Sequence, residues 1–269
     1  MRRRLAGAAV LALALALLTP GLAGAAARVA SLDQCADQYV IALVPRDRIA
    51  GVTGRADDPD AWLRADAGGL PVRRPTAESM LAAGPDVVVR YWGGDQRLMR
   101  TLERRGIRVL QIDEATDFAG LRDNLRHIAA GVGEPARGEQ LIAAMNADLR
   151  AARGAWDGRR ALYVTAGGFT AGPGTLVDAV MAAAGMVNAA ASPGFAAVSL
   201  ERLVLQPPRL FVKAFFENRR GDRRGPGRSR VLARLSEGRT AAELPGSLLS
   251  CPAWFASEAS RRLAEAAPR

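Results

Sequence analysis

Aromatic residues are scarce in this sequence, and several stand where a predicted strand gives way to a loop. Tyr91, Trp92 and Gly93 follow a valine run that begins at Val87. Ligands of α/β proteins bind at the carboxyl ends of strands, and a flat ring there can stack on a macrocycle or an aromatic chelator. The alternative for each tryptophan is an ordinary core position. We predict that a ligand contacts these aromatic residues and the glycine beside Trp92: Tyr39, Trp62, Tyr91, Trp92, Gly93, Phe169 and Trp254.

A run of arginines among glycines and a proline occupies residues 217–230. This composition predicts an exposed loop. Arg219 follows a predicted strand, so it is a candidate contact for an anionic group of a ligand. The alternative is a solvated surface loop, which is the usual setting of a charge run.

Most catalytic and metal-dependent chemistry requires side chains that this sequence lacks. Its single histidine, His127, lies in a predicted helix, whereas zinc and manganese sites need clustered His, Cys and carboxylate ligands. A Ser-His-Asp hydrolase would have to use the same histidine, and the G-x-S-x-G motif is absent. We therefore predict no catalytic residue, no metal site and no intrinsic cofactor, and we do not expect an enzyme.

The first 26 residues have the pattern of a cleaved secretory signal peptide. Arg2, Arg3 and Arg4 precede an uncharged apolar segment, and small residues at 23–27 offer cleavage sites. A membrane anchor is the alternative, but a spanning helix needs about 20 apolar residues, and Pro20 interrupts this one. We therefore expect a periplasmic protein. Cleavage lowers the formal charge from +10 to 10 − 3 = +7, and export argues against nucleic-acid binding.

Two cysteines, Cys35 and Cys251, lie near opposite ends of the chain. An even number of cysteines in an exported protein permits a disulfide. The alternative is two unpaired buried thiols, and spacing alone does not decide between them.

Short apolar runs alternate with amphipathic segments, and this alternation predicts an α/β fold. Residues 134–157 lack strand character and carry apolar residues at helical spacing, which predicts one long helix. We therefore predict two α/β lobes, at residues 27–133 and 158–269, joined by that helix. The second lobe is expected to end in a further helix from about residue 252.

One pattern occurs once in each predicted lobe. Residues 76–90 read TAESMLAAGPDVVVR and residues 197–213 read AVSLERLVLQPPRLFVK. Both contain a polar helix-capping residue, a glutamate, an apolar helical turn, a proline-marked turn and a hydrophobic strand.

With this repeat, the chain resembles the periplasmic solute-binding proteins of ABC importers for cobalamin and ferric siderophores. The resemblance rests on RVASLDQCADQYVIALVPRDRIAGVT, TAESMLAAGPDVVVRYWGG, the long helix and SLERLVLQPPRLFV, and it covers residues 28–266. It implies two Rossmann-like lobes linked by one backbone helix. It also implies a monomer that captures a bulky metal chelate between its lobes.

The resemblance also implies that Glu78 and Glu201 dock on arginines of an inner-membrane permease dimer. A carboxylate near a helix N-terminus is stabilised by the helix dipole, and an arginine can grip it with two parallel hydrogen bonds. The alternative is a pair of solvated glutamates in the first turns of their own helices.

The identity of the chelate stays open between a corrin, a ferric siderophore and haem. The tryptophans slightly favour cobalamin, whereas arginines favour an anionic siderophore. Tyrosine can ligate haem iron, and Tyr91 is the best placed of the three tyrosines. A different class of function, an exported ligand-binding sensor with no transporter, is the remaining alternative.

Overall fold

The computed structural model describes residues 27–217 and 225–268. The predicted signal peptide and Arg219 therefore lie outside the described residues. Within the described ranges, no helix is both long enough and apolar enough to cross a membrane.

The N-terminal lobe is a four-stranded parallel sheet with the strand order β2-β1-β3-β4. The three consecutive valines at residues 87–89 are fully buried, as expected for a parallel strand that helices cover on both faces. Because all four strands are parallel, their carboxyl ends lie at one edge. The elements are β1 (Val29–Ser31), α1 (Gln34–Leu43), β2 (Ile49–Gly51), α2 (Ala77–Ala83), β3 (Val87–Arg90), α3 (Gln96–Arg104), β4 (Arg108–Gln111) and α4 (Phe118–Gly131).

The C-terminal lobe is built around a second parallel sheet, with the order β10-β9-β5-β7, and β6 pairs with β8 in a separate antiparallel sheet. Two α/β lobes were predicted, and the structure confirms them. The elements are β5 (Arg160–Thr165), β6 (Phe169–Ala171), α6 (Leu176–Ala183), β7 (Val187–Asn188), β8 (Phe195–Ala197), α7 (Leu200–Leu205), β9 (Leu210–Ala214), α8 (Arg230–Ser236), β10 (Thr240–Leu244) and α9 (Ala256–Glu265).

One long helix, α5 (Pro135–Ala152), lies between the two sheets in sequence and packs against α4 and α9. It is shorter than the predicted segment 134–157. Gly154 adopts a φ of 74°, a left-handed conformation that ends a helix. The Trp156 backbone N–H then donates to the carbonyl of Ala184 at 3.0 Å. The last predicted turn of the helix thus belongs to the packing of the C-terminal lobe.

The final helix is also shorter than expected, since it begins at Ala256 rather than at residue 252. Strands β6, β7, β8 and β10 and helix α8 were not predicted. The three short strands β6 to β8 have few apolar residues in alternation, so their pairing depends on the lobe around them.

A carboxylate is buried beneath the N-terminal sheet. Asp37 accepts hydrogen bonds from the hydroxyl of Ser31 and from the backbone N–H and hydroxyl of Thr53, the last two at 2.8 and 2.6 Å. Burial outweighs these bonds and raises the pKa of Asp37 to about 6. The lobe therefore contains a carboxyl group that titrates well above its ordinary range.

Candidate functional site

One buried carboxylate, Asp33, binds the N–H groups of the loop after β3, while Arg90 and Gln111 donate to the carbonyls of Gly93 and Tyr91 at 2.8 and 2.7 Å. One oxygen of Asp33 caps α1 by accepting the N–H of Ala36 at 2.9 Å. The other accepts the backbone N–H groups of Tyr91, Trp92 and Gly93 at 2.7, 3.1 and 2.8 Å. Asp33 is 2% exposed. The exits of β1 and β3 are thereby locked to each other, and the loop that carries the predicted aromatic contacts is held in one conformation.

Gly93 was predicted to contact a ligand, but the structure gives the glycine another role. Gly93 is buried, and a Cβ atom on it would lie 2.1 Å from the carbonyl oxygen of Leu32. The residue must be glycine because the loop packs directly on the neighbouring backbone. The backbone of Gly93 thus packs against the backbone of Leu32. This packing, and not contact with a ligand, explains why a glycine is needed here.

Trp92 is exposed, as a ligand contact requires. Its ring is 53% exposed. The guanidinium of Arg55 lies 5.9 Å from the ring centroid, and Asp58 holds Arg55 with a 2.9 Å ion pair. A cation at this distance interacts favourably with an aromatic face. The structure excludes the alternative of a buried core tryptophan, while a contact with ligand stays a prediction.

Tyr91 lies partly buried at the edge of a cavity between the lobes. Partial burial, then the charges of Glu114 and Asp33, raise the pKa of the Tyr91 phenol. The phenol is therefore neutral at physiological pH and can donate a hydrogen bond.

The cavity between the lobes has a volume of about 270 Å³. Residues of the loops after β3 and β4 form one wall, and residues before α6 and at β8 form the opposite wall. Glu114 and Phe195 were not among the predicted contacts. Glu114 lies three residues after β4, so its position near a strand end could have indicated it, whereas no sequence pattern marks Phe195. The cavity is lined by Tyr91, Glu114, Ala115, Thr116, Gly174, Thr175, Leu176, Val177, Gly194, Phe195, Leu249, Ser250, Cys251 and Pro252.

The small antiparallel sheet of the C-terminal lobe carries two exposed aromatic residues, of which Phe195 lines the inter-lobe cavity and Phe169 does not. Phe169 pairs with Ala197 and Phe195 pairs with Ala171, so both phenylalanines lie on the same face of the sheet. Phe169 and Phe195 are 53% and 69% exposed. The structure leaves Phe169 accessible, as its predicted role requires.

Tyr39 and Trp254 were predicted as ligand contacts, and the structure contradicts both. Tyr39 is fully buried, and its hydroxyl donates to the carbonyl of Pro252 at 2.8 Å. Trp254 is also buried and packs edge-to-face on Tyr39, with ring centroids 5.3 Å apart. Both rings belong to the core because they join α1 to the segment that precedes α9.

Trp62 does not line the inter-lobe cavity either. It is partly buried and packs against Phe255, with ring centroids 5.8 Å apart, under the guanidinium of Arg262. The tryptophan therefore anchors its loop to α9, and its predicted role as a ligand contact is corrected to packing.

A disulfide joins Cys35 in α1 to Cys251. Nearby, the hydroxyl of Ser250 donates to the carbonyl of Asp60 at 2.9 Å. Together with Tyr39, these contacts attach the segment before α9 to the N-terminal lobe. The segment also lines the cavity, so it fixes one side of the site.

The end of β9 forms a polar cluster beside the residues that are not described. Phe215 has a φ of 65°, which is strained for a residue with a side chain. The ring of Phe216 lies between Lys213 and Arg228, at 5.7 and 5.4 Å from its centroid. Glu217 accepts the backbone N–H of Gly246.

The two repeated glutamates are both on the surface. Glu78 and Glu201 lie in the first turns of α2 and α7 and are exposed. The hydroxyls of Thr76 and Ser199 cap these helices at 3.3 and 3.2 Å. Because other side chains serve as caps, both carboxylates remain available to a partner.

Within the described ranges, no group of three or more His, Cys, Asp or Glu residues could hold a metal ion. The side chains that the described cavity does offer include an aromatic face, a phenol and a carboxylate, from Phe195, Tyr91 and Glu114.

A family model described as "Periplasmic binding protein" matches residues 29–232. Among solved structures, the apo haem-binding protein RhuT of Roseiflexus sp. RS-1 is 22% identical, with a TM-score of 0.69 over 90% of this chain and 97% of that one. A haem-binding protein of Pseudomonas aeruginosa is 27% identical, with a TM-score of 0.55 over 70% of this chain and 71% of that one. The vitamin B12-binding protein BtuF of Vibrio cholerae is 16% identical, with a TM-score of 0.60 over 89% and 95%. The search of curated proteins found no significant match.

Proposed function

Because the chain belongs to the family of periplasmic binding proteins, we propose that it is the substrate-binding component of an ABC import system. It captures a bulky metal chelate, cobalamin or a ferric siderophore, between its lobes and delivers it to an inner-membrane permease dimer. The protein acts as a monomer in the periplasm, after cleavage of its signal peptide.

The observation that carries this proposal is the cavity between the lobes. Tyr91 and Glu114 face it from one lobe and Phe195 from the other. Its 270 Å³ are near the lower limit of small-molecule sites, which span about 300–1,000 Å³. A bulky chelate therefore extends out of the cavity over the exposed rings of Trp92 and Phe169, which supply flat apolar surface.

The side chains that line the described cavity favour a ligand whose hydrogen-bonding groups are uncharged. Tyr91 stays protonated, and Glu114 is the charged residue among the lining residues of the described chain. A corrin with amide side chains suits these groups. Arg219 is the proposed contact for a ligand with anionic groups, such as an anionic siderophore.

Haem is the second candidate. Tyr91 is the partly exposed one of three tyrosines, since Tyr39 and Tyr163 are buried, and tyrosine can ligate haem iron. Two of the similar structures are haem-binding proteins, which supports the same alternative. Ligation requires the phenolate, so a bound ferric ion would have to displace the proton of the Tyr91 phenol.

Delivery is assigned to Glu78 and Glu201. Each carboxylate is exposed at the start of a helix, and each occurs at the same place in the repeated unit. A bidentate arginine contact on each lobe would orient the protein on two permease subunits.

Ligand identity is tested by titrating the purified protein with cyanocobalamin, haemin and ferrioxamine B, followed by absorption and native mass spectrometry. We expect one of these chelates to bind and Trp92→Ala to weaken its binding. Tyr91→Phe is the matched variant: it should abolish the iron–phenolate absorption band if haem binds, and should leave a corrin in place. If none of the three binds, the proposed ligand class is wrong.

Delivery is tested separately by combining Glu78→Gln with Glu201→Gln. We expect uptake of the bound chelate by whole cells to be lost while the affinity of the purified protein for it is unchanged. Uptake that persists would contradict docking through these residues.

A further inference from the structure

Glu114 is the one carboxylate among the described residues that line the inter-lobe cavity. It is exposed on the loop between β4 and α4. The backbone of the preceding residue, Asp113, is bonded in both directions to the buried side chain of Asn124, which accepts its N–H at 3.0 Å and donates to its carbonyl at 2.8 Å. The base of the loop is therefore fixed, and Glu114 extends from a held stretch of backbone.

Two hydroxyl groups of the cavity wall are already engaged within the protein. The hydroxyl of Thr175 donates to the carbonyl of Gly172 at 2.8 Å and accepts the N–H of Asp178 at 3.2 Å. The hydroxyl of Ser250 donates to the carbonyl of Asp60 at 2.9 Å. Both hydroxyls have thus used their single donor, and neither can donate to a ligand without losing an internal bond.

Three other polar side chains of the wall have no hydrogen-bond partner within the described residues, those of Tyr91, Glu114 and Thr116. Glu114 also forms no ion pair there, and the acidic residues Asp113 and Asp117 lie on either side of it in the sequence. After burial, the charge of Glu114 is the next cause of the raised pKa of Tyr91. The carboxylate therefore acts on the same space as the phenol, and its own loop supplies no cation to offset it.

We propose that Glu114 is a specificity-determining residue that selects against chelates carrying a carboxylate. An amide or ammonium group of a ligand can donate a hydrogen bond to Glu114, whereas a ligand carboxylate in the cavity places two like charges side by side, which is unfavourable. Corrins with amide side chains and hydroxamate siderophores with neutral or cationic ends therefore bind in preference to haem and to carboxylate siderophores. This inference rests on the proposed function and narrows its ligand class.

The test uses pairs of chelates that differ by one carboxylate: cyanocobalamin and its monocarboxylic acid, haemin monomethyl ester and haemin, and the N-acetyl and N-succinyl derivatives of ferrioxamine B. The preference within a pair is the ratio of its two dissociation constants, measured by calorimetry. We expect the preference for the less acidic member to fall about tenfold in Glu114→Gln, the effect of two unit charges about 6 Å apart at a partly exposed site. The matched control is Asp123→Asn, which removes the same charge from an exposed position in α4 and should keep the full preference.

Salt dependence distinguishes charge selection from a change in packing. At an ionic strength of 1 M, where the Debye length is about 3 Å, the preference of the unaltered protein should shrink, while that of Glu114→Gln should hardly change. Altered packing would weaken both members of a pair alike and would leave their ratio unchanged. Groups that the two proteins share, such as the start of α6 on the opposite wall, cancel when the two ratios are compared.

The outcomes separate this inference from the function on which it rests. If a pair binds and Glu114→Gln keeps the preference of the unaltered protein, the inference is wrong and the proposed function stands. The same conclusion follows if Asp123→Asn loses as much of the preference as Glu114→Gln. If no member of any pair binds, the ligand class of the proposed function is wrong, and the inference falls with it.

Discussion

The two lobes fix their cleft loops by different means. In the N-terminal lobe, the buried Asp33 holds three consecutive N–H groups after β3, and the buried Asn124 holds Asp113 after β4 with bonds of 3.0 and 2.8 Å. At the ends of β5 and β9 in the C-terminal lobe, the corresponding bonds come from partly or fully exposed side chains, those of Thr165, the last residue of β5, and of Glu217. Buried polar bonds are the more costly to break.

This difference indicates that the two halves of the cleft differ in how readily they rearrange. The N-terminal half of the cleft, with Tyr91 and Trp92, is preformed. The C-terminal half, with Phe169 and Phe195 on a small separate sheet, has a lower cost of local rearrangement. A single receptor can thus combine a rigid wall with an adaptable one.

The largest expected effect is at Asp33. Asp33→Ala leaves three backbone N–H groups without their acceptor and removes a helix cap, so we expect the free energy of unfolding to fall by about 4 kcal/mol. Thr165→Val, which removes the corresponding bond in the C-terminal lobe, should cost about 1 kcal/mol. Urea denaturation measures both. Equal losses would contradict the comparison between the lobes.

The next effect is that of the disulfide, which ties the cavity-lining segment to the rigid lobe. Cys35→Ala combined with Cys251→Ala should lower the free energy of unfolding by about 3 kcal/mol, the middle of the range typical of disulfides. Reduction of the unaltered protein should reproduce the loss in the same denaturation experiment. An unchanged unfolding midpoint would show that Tyr39 and Ser250 already hold the segment.

The pH dependence of stability should also originate in the N-terminal lobe. The folded state holds the pKa of Asp37 at about 6, above the ordinary 3.8, so folded protein binds more protons between these values. The free energy of unfolding should therefore fall by roughly 2 kcal/mol as the pH rises from about 4 to about 6, and level off above that range.

Asp37→Asn should abolish that slope, whatever its effect on absolute stability. Denaturation midpoints measured at several pH values provide the test. In α9, burial raises the pKa of Glu258, but hydrogen bonds from Arg262 and Arg261 outweigh it and hold that pKa below its ordinary value, which gives a slope of the opposite sign. A falling slope that persists in the variant would show that another group is responsible.

The smallest effects are those on ligand affinity. Trp92→Ala should weaken binding of the chelate about tenfold, through lost contact with a preformed wall. Phe195→Ala should weaken it about threefold, since ordering the adaptable wall offsets part of its contact energy. Tryptophan fluorescence and calorimetry measure both, and Val231→Ala, exposed on α8, is the control. A larger loss at Phe195 than at Trp92 would reverse the assignment of the two walls.

The fold could be predicted because its main strands and helices carry strong local patterns. Buried parallel strands such as Val87–Arg90 are continuous apolar runs, and capping residues such as Thr76 and Ser199 mark helix starts. The small sheet of β6 and β8 was missed because its short strands are far apart in sequence and pair only within the folded lobe.

The candidate site was predicted less completely. Tyr91 lines the cavity and Trp92 is exposed, and contact of either residue with a ligand stays a prediction. The reasoning that singled out these two residues also placed Tyr39, Trp62 and Trp254 in the cleft, because an aromatic ring that packs in a core has the same sequence signature as one that meets a ligand. The burial of these rings depends on how the segment before α9 packs on the N-terminal lobe. The residues that meet there, such as Cys35 and Cys251, lie more than 200 positions apart in the sequence.

The sequence by itself determined the two α/β lobes, the helix between them and the repeated unit with its two glutamates, since each depends on local periodicity and capping. The tertiary structure alone decided the pairing of Cys35 with Cys251, the role of Asp33 and the walls of the inter-lobe cavity. These features depend on contacts between distant segments, and local sequence does not encode which side chain fills a given volume.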